Sequence, residues 1–147
     1  MKKAHSVVVS VFVKDEPVLP VKKALSSLFP FPITKLLEQK KVTGLEKNEI
    51  TVLAVKLTKD SHTNAFLRHL TENLSEEDRA MVLRQKQSRL DEELAFYLRL
   101  GKSQLLKGKY KIVEGGDCFH IRILLACYPK SRVAGIKLVD EILAKPI

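Results

Sequence analysis

The 147-residue chain has no tryptophan, two cysteines and a single pair of adjacent glycines, Gly115-Gly116. Each scarcity excludes something. Cys118 and Cys127 fall nine positions apart on one predicted strand and therefore on opposite faces. They make neither a joint metal site nor a disulfide, and are read as reduced structural thiols. One isolated glycine pair is no phosphate-cradling loop. The four histidines (His5, His62, His69, His120) lack ligand spacing. His62 and His69 share a helix but lie two turns apart, about 10.5 Å along its axis, too far for one metal. Asp91, Glu92 and Glu93 are consecutive on an extended segment, so they alternate between faces and do not pair. No catalytic residues, metal or cofactor are expected, and a hydrolase or nuclease would need a carboxylate cluster that the sequence does not assemble.

Long apolar runs are also missing. Residues 1–13 imitate a secretory leader, with Met1-Lys2-Lys3 before Val7–Val13. His5, Ser6 and Ser10 interrupt the run, no small-residue cleavage site follows, and Lys14-Asp15-Glu16 closes it. It reads instead as a buried β-strand. Nothing approaches the ~18 apolar residues of a membrane span, so a cytoplasmic location without membrane contact is expected.

What the chain does have is positive charge. Net charge is +9, and nine of the 26 Lys and Arg residues fall between Arg79 and Lys111, against three acids. With 45% apolar and 29% charged residues, the composition is that of a folded protein, and residues 1–147 are read as one domain. A local cationic surplus is the footprint of a surface that tracks phosphates.

The periodicities predict a strand at Ser6–Lys14, a helix opened by Pro17 and Pro20 and stopped by Pro30, a polar edge strand at Ile33–Val42, and a strong strand at Glu49–Thr58. Asp60 or Ser61 caps a helix with Phe66, Leu67, Leu70 and Leu74 inward. Ser75 with Asp78 resembles a capping box for a third helix running to about Leu90. Strands follow at Leu94–Leu100, Lys109–Val113 and Asp117–Cys127, the last two joined by a Glu114-Gly115-Gly116 hairpin. Ser131 caps a final helix with Val133, Ile136, Val139 and Leu143 inward. This order predicts an α+β two-layer sandwich, an antiparallel sheet with helices on one face.

On the third helix Arg79, Lys86 and Arg89 share an arc of about 80°, while Arg84 points elsewhere. Neither Lys86 nor Arg84 has an acid at three or four positions, so the helix does not supply their counter-charges. Tyr97 and Arg99 occupy one face of the next strand, where a ring can stack an unpaired base beside a guanidinium that holds its phosphate. The plainer alternative is a half-buried Tyr97 with its hydroxyl in water. Lys102, Lys107, Lys109 and Lys111 follow, two of them flanking Gly108. Edge lysines also discourage sheet-to-sheet aggregation, but that does not explain why the surplus is concentrated.

The segments Arg89-Leu90-Asp91, Tyr97-Leu98-Arg99-Leu100-Gly101-Lys102 and Gly108 before an apolar strand resemble a family of small archaeal proteins known as predicted RNA-binding proteins or predicted exosome subunits. The Gly44…Asn48 turn and the early His5 strand followed by an acidic-Pro helix start fit the same pattern. The family tends to place an acid and then Lys-Gln after the second Arg, whereas this chain has Gly101, Lys102 and Ser103, with Gln104 displaced by one. The resemblance implies a fold similar to the large-subunit ribosomal protein that binds 5S RNA.

The expected function is binding of structured or looped RNA, mainly through phosphates, in RNA-processing or ribosome-related assemblies. Arg84, Lys86, Arg89, Arg99, Lys102, Lys107, Lys109 and Lys111 are the phosphate candidates and Tyr97 the stacking platform. Besides RNA, the expected partners are a second copy in a homo-oligomer or an RNA-processing complex; the alternative function is a protein–protein module that docks on an acidic partner or self-associates through an edge strand. The scarcity of aromatics, nine Phe and Tyr in all, favours that second reading.

Overall fold

A computed structural model describes residues 2–44 and 48–144. The elements, in order, are β1 (Ala4–Val13), α1 (Val18–Ser27), β2 (Leu37–Thr43), β3 (Glu49–Leu57), α2 (Asp60–Asn73), α3 (Glu76–Arg84), α4 (Lys86–Arg89), β4 (Ala95–Gly101), α5 (Lys102–Leu106), β5 (Cys118–Leu125) and α6 (Arg132–Ile142). The strands form one antiparallel sheet in the order β2-β3-β1-β5-β4. The interior of the predicted Gly44–Asn48 turn, residues 45–47, lies outside the described residues. At its base the Gly44 N–H donates to the Asn48 carbonyl at 2.8 Å.

Period-two alternation decides which face of the sheet is covered. Val7, Val9 and Val11 of β1, Leu53, Val55 and Leu57 of β3, Ile121 and Ile123 of β5, and Phe96, Leu98 and Leu100 of β4 are all buried. They pack against Val21 and Leu25 of α1, Phe66, Leu67 and Leu70 of α2, and Leu138 and Val139 of α6. This is the predicted two-layer arrangement. Apart from Ser6, Ala95, Gly101 and Cys118 near the strand ends, their alternate neighbours are half-buried or exposed, and the other face of the sheet is open. The first strand therefore departs from its expected burial on both sides: Val8 and Ser10 are half-buried and Phe12 is exposed. The polar interruption at Ser10 marks that open face.

Four local readings change. The helix after Ser75 starts as expected, with the Ser75 hydroxyl accepting from the Asp78 N–H at 3.0 Å, but it ends at Arg84. Gln85 (φ −98°, ψ 7°) separates it from α4, so the continuous helical arc drawn through Arg79, Lys86 and Arg89 does not exist. Lys59, not Asp60 or Ser61, is the N-cap of α2, without a side-chain bond. Residues 109–113 form no strand: Ile112 alone bridges Leu100, and α5 occupies part of the intervening connection. In α6, Ser131 caps by accepting from the Ala134 N–H at 3.1 Å, but Val133 lies on the outer side and is exposed.

Two of the histidines and both cysteines serve packing. The His62 ring stacks on Phe31 with centroids 4.4 Å apart, and His69 Nε2 meets the Ser27 carbonyl at 3.0 Å. Both cysteines are buried and unpaired. Among the described residues no cluster of three metal-ligating side chains occurs, and no helix is long and apolar enough to cross a membrane.

Candidate nucleic-acid interface

Three of the sequence candidates converge where β4 borders the open face. Tyr97 and Arg99 stand on alternate positions of β4, both exposed, and Arg89 reaches in from α4. With Gln85, Ser88 and Glu114 they line a cleft of about 350 Å³. Gln85 and Arg89 stand four residues apart, one helical turn, and Gln85 Oε1 accepts from both Arg89 Nε (3.0 Å) and Nη2 (2.6 Å). Arg89 Nη1 donates to the Tyr97 carbonyl at 3.3 Å, fixing the guanidinium on the edge of β4.

The Arg89 and Arg99 guanidiniums are close enough to repel. Burial first, and then the Arg99 charge, lower the Arg89 pKa, while Glu114 opposes the shift. Glu114 answers both cations. Its carboxylate lies 3.4 Å from Arg89 Nη2 and its carbonyl accepts from Arg99 Nη1 at 3.0 Å. That carboxylate is largely solvent-exposed, so its attraction is screened. Two neighbouring guanidiniums faced by a loose anion leave the cleft with a surplus of positive charge.

Tyr97 is held more firmly than a half-buried tyrosine with a wet hydroxyl. Its O–H donates to Asp91 Oδ2 at 3.1 Å and accepts from Arg122 Nε at 3.2 Å. Asp91 in turn organises the turn into β4, accepting from the N–H groups of Glu93 (2.9 Å) and Ala95 (2.8 Å). That turn places Leu94 at φ +68°, a left-handed conformation costly for a side chain of this kind, so the Asp91 bonds stabilise it where local preference would not. Burial pushes the Asp91 carboxyl upward, but the Ala95 N–H, the Tyr97 hydroxyl, the Glu93 N–H and the Arg122 charge together hold it below its ordinary value.

The remaining candidates separate. Lys107 and Lys109 are exposed on either side of Gly108, whose φ of +78° favours glycine at this turn. Arg84 is exposed at the end of α3. None of the three forms an ion pair among the described residues. Lys86 does have a counter-charge, supplied by a different helix: its Nζ sits 2.7 Å from Asp140 Oδ1 of α6. Lys111 covers buried Asp78 at 3.2 Å, and Asp78 also accepts from the Ile112 N–H at 3.0 Å.

Lys102 is a correction. It is 3% exposed, and its ammonium donates to Glu16 Oε2 (2.8 Å), Asp117 Oδ1 (2.8 Å) and the Phe12 carbonyl (2.6 Å). All three donor positions are used, so this lysine clamps the ends of β1 and β5 to α5 and has nothing left for a phosphate. Burial alone would lower its pKa, but the bonds and charges of Asp117 and Glu16 raise it above the ordinary value.

The sequence reading assigned no functional role to several residues of the open face. Register places Arg122 opposite Tyr97 and His120 opposite Arg99, with Val8 and Ser10 next to them on β1 and Lys56 beyond Val8 on β3. The available signal was the alternation within Cys118–Leu125, where His120 and Arg122 interrupt an apolar strand at every second position.

Comparisons with known proteins agree with this architecture. A family model described as RNA binding matches residues 6–125. The "RNA-binding protein PAB1135" of Pyrococcus abyssi is 30% identical over 142 residues, covering 94% of this chain and 92% of that protein. Among solved structures, protein AF2318 from Archaeglobus fulgidus superposes with a TM-score of 0.85 at 30% identity, covering 95% and 99% of the two chains. Mth689 from Methanothermobacter thermautotrophicus, a DUF54 protein, superposes with a TM-score of 0.79 at 26% identity, covering 97% and 100%. With the match spanning all five strands, the chain belongs to this RNA-binding protein family.

Proposed function

We propose that the protein binds structured or looped RNA chiefly through its phosphates, using Arg89 and Arg99 in the β4 cleft and Arg84, Lys107 and Lys109 as exposed cations around it. Tyr97 is the stacking platform beside them. The observation that carries this reading is the convergence of Arg89, Tyr97 and Arg99 on one cleft, where two guanidiniums face a single exposed carboxylate. Lys86, paired with exposed Asp140, and Lys111, paired with buried Asp78, contribute to the surrounding field. The resemblance noted in the sequence supports placing this binding within RNA-processing or ribosome-related assemblies, and the family's name supports a binding role over a catalytic one.

The test is the salt dependence of binding to a looped RNA. Each phosphate contact contributes about −0.7 to the slope of log affinity against log salt on a single strand, so five contacts give about −3.5. A slope shallower than about −1 would remove the electrostatic basis of the reading, even with measurable binding.

A further inference from the structure

The open face of the sheet displays aromatic surface that packing does not require. Phe12 is 51% exposed in the central strand, where the alternate valines are fully buried. Its ring stands edge-on to His120, centroids 6.1 Å apart at 69°. His120 pairs across the sheet with Arg99, and Arg122, two residues on, pairs with Tyr97. The result is one continuous patch across three adjacent strands: Phe12, His120, Arg99, Tyr97 and Arg122. Burial and the Arg99 charge lower the His120 pKa, which favours the neutral imidazole beside Phe12.

The electrostatics of the patch suit an anion with flat, apolar parts. Arg99 and Arg122 lie within it and Lys56 borders it in the Val8 row. The acids nearby are Asp91, already engaged by Tyr97, exposed Glu93 at 3.6 Å from Arg122, exposed Glu114 beside Arg99 and Arg89, Asp117, which is paired with Lys102, and Glu38 across the sheet on β2. A protein partner would need acids interleaved with apolar side chains, whereas a nucleic-acid single strand presents bases and phosphates in regular alternation. A duplex hides its bases and offers such a face only its backbone.

The geometry points to this open face as a binding surface for unpaired RNA, with one base stacked on Phe12, another on Tyr97, and the linking phosphates held by Arg99 and Arg122. This deepens the proposed function and rests on it, adding the ligand class and the residues that select it.

The absence of native tryptophan gives a clean experiment. Phe12→Trp places a single indole on the face, and its fluorescence is expected to be quenched by a short unstructured oligoribonucleotide and unaffected by a duplex of equal length. Phe12→Ala is expected to weaken the single strand by about 5- to 150-fold, the loss of one stacked base, and to leave duplex affinity and the thermal midpoint unchanged. Leu19→Ala removes an exposed apolar side chain from α1, on the helical side, and should change neither. If Phe12→Ala keeps full single-strand affinity while reversal of Lys107 and Lys109 abolishes it, RNA binding stands and this surface is wrong. If Phe12→Ala instead turns a dimer into a monomer without changing RNA affinity, the face is a self-association surface and the inference is overturned. If the wild-type protein binds neither RNA, both this inference and the function beneath it fail.

Discussion

The Arg89 guanidinium lies 3.4 Å from a Glu114 carboxylate that is itself mostly in water, so the cleft at the edge of β4 holds a weak, displaceable anion of its own. Glu114→Gln removes that competitor and leaves the side chain's shape. RNA affinity is expected to rise by up to about fivefold, equivalent to about 1 kcal/mol, with little change in stability. Unchanged or reduced affinity in a titration at constant salt would mean that phosphates do not enter the cleft.

Reversal of Lys107 and Lys109 to Glu separates surface charge from structural charge. Both are exposed and lack ion pairs among the described residues, so the double variant should lose most RNA affinity while each change alters stability by no more than ~0.5 kcal/mol. Lys86→Glu behaves differently. It turns the pair with Asp140 into a repulsion between α4 and α6, lowering the melting temperature as well as the affinity. Thermal melts alongside filter binding distinguish the two patterns.

Lys102 gives the opposite signature. Lys102→Met leaves Glu16 and Asp117 facing each other without their cation. The expected loss is about 3 kcal/mol, the low end for breaking a buried pair, since both acids keep some solvent access. RNA affinity of the folded fraction should be unchanged. The pH dependence has a defined sign. A lysine whose folded pKa is raised contributes fully below its unfolded value, ordinarily 10.5, and that contribution is lost as pH rises through the folded value. Wild-type stability should therefore fall across that alkaline window by more than that of Lys102→Met, as denaturant titrations at successive pH values would reveal.

Tyr97 can be tested through the bonds that fix it. Tyr97→Ala should weaken looped RNA by about 1–3 kcal/mol relative to a duplex, whereas Arg99→Ala should weaken both. An unchanged loop-to-duplex ratio would remove Tyr97 from the site. Tyr97→Phe keeps the ring but takes a donor from Asp91, at a cost of about 1 kcal/mol. Asp91 contributes stability above the ordinary carboxylate value of 3.8, and loses it as pH falls through its depressed value. Acid unfolding of Tyr97→Phe should therefore begin at higher pH than in the wild type.

The strands and most helices were legible because their signals are local. Alternation in Ala95–Gly101 and the Ser75 cap depend only on neighbouring residues. The cleft was legible in part: Tyr97 and Arg99 share one exposed strand face, and Arg89, largely buried, lies on the helix just before it. The rest depends on tertiary pairing. Nothing near Lys102 in sequence announces Glu16, 86 residues away, and Asp140 lies 54 residues from Lys86. Phe12 resembled a core residue because an apolar strand does not reveal whether helices cover one face or two.

Strand order has a consequence for biosynthesis. β5 is the last strand in the chain, yet it lies between β1, the first, and β4. A nascent chain that has emerged only as far as Lys111 carries β1 with one edge unpaired and β4 with no neighbouring strand to join. Such edges recruit other chains, and contacts this distant in sequence form slowly. Arg122 and His120 arrive on the same segment that closes the gap, so the sheet and its cationic aromatic face are completed in one event. Until residues 118–125 leave the ribosome, nothing bridges β1 and β4, and the open face of the sheet is split in two.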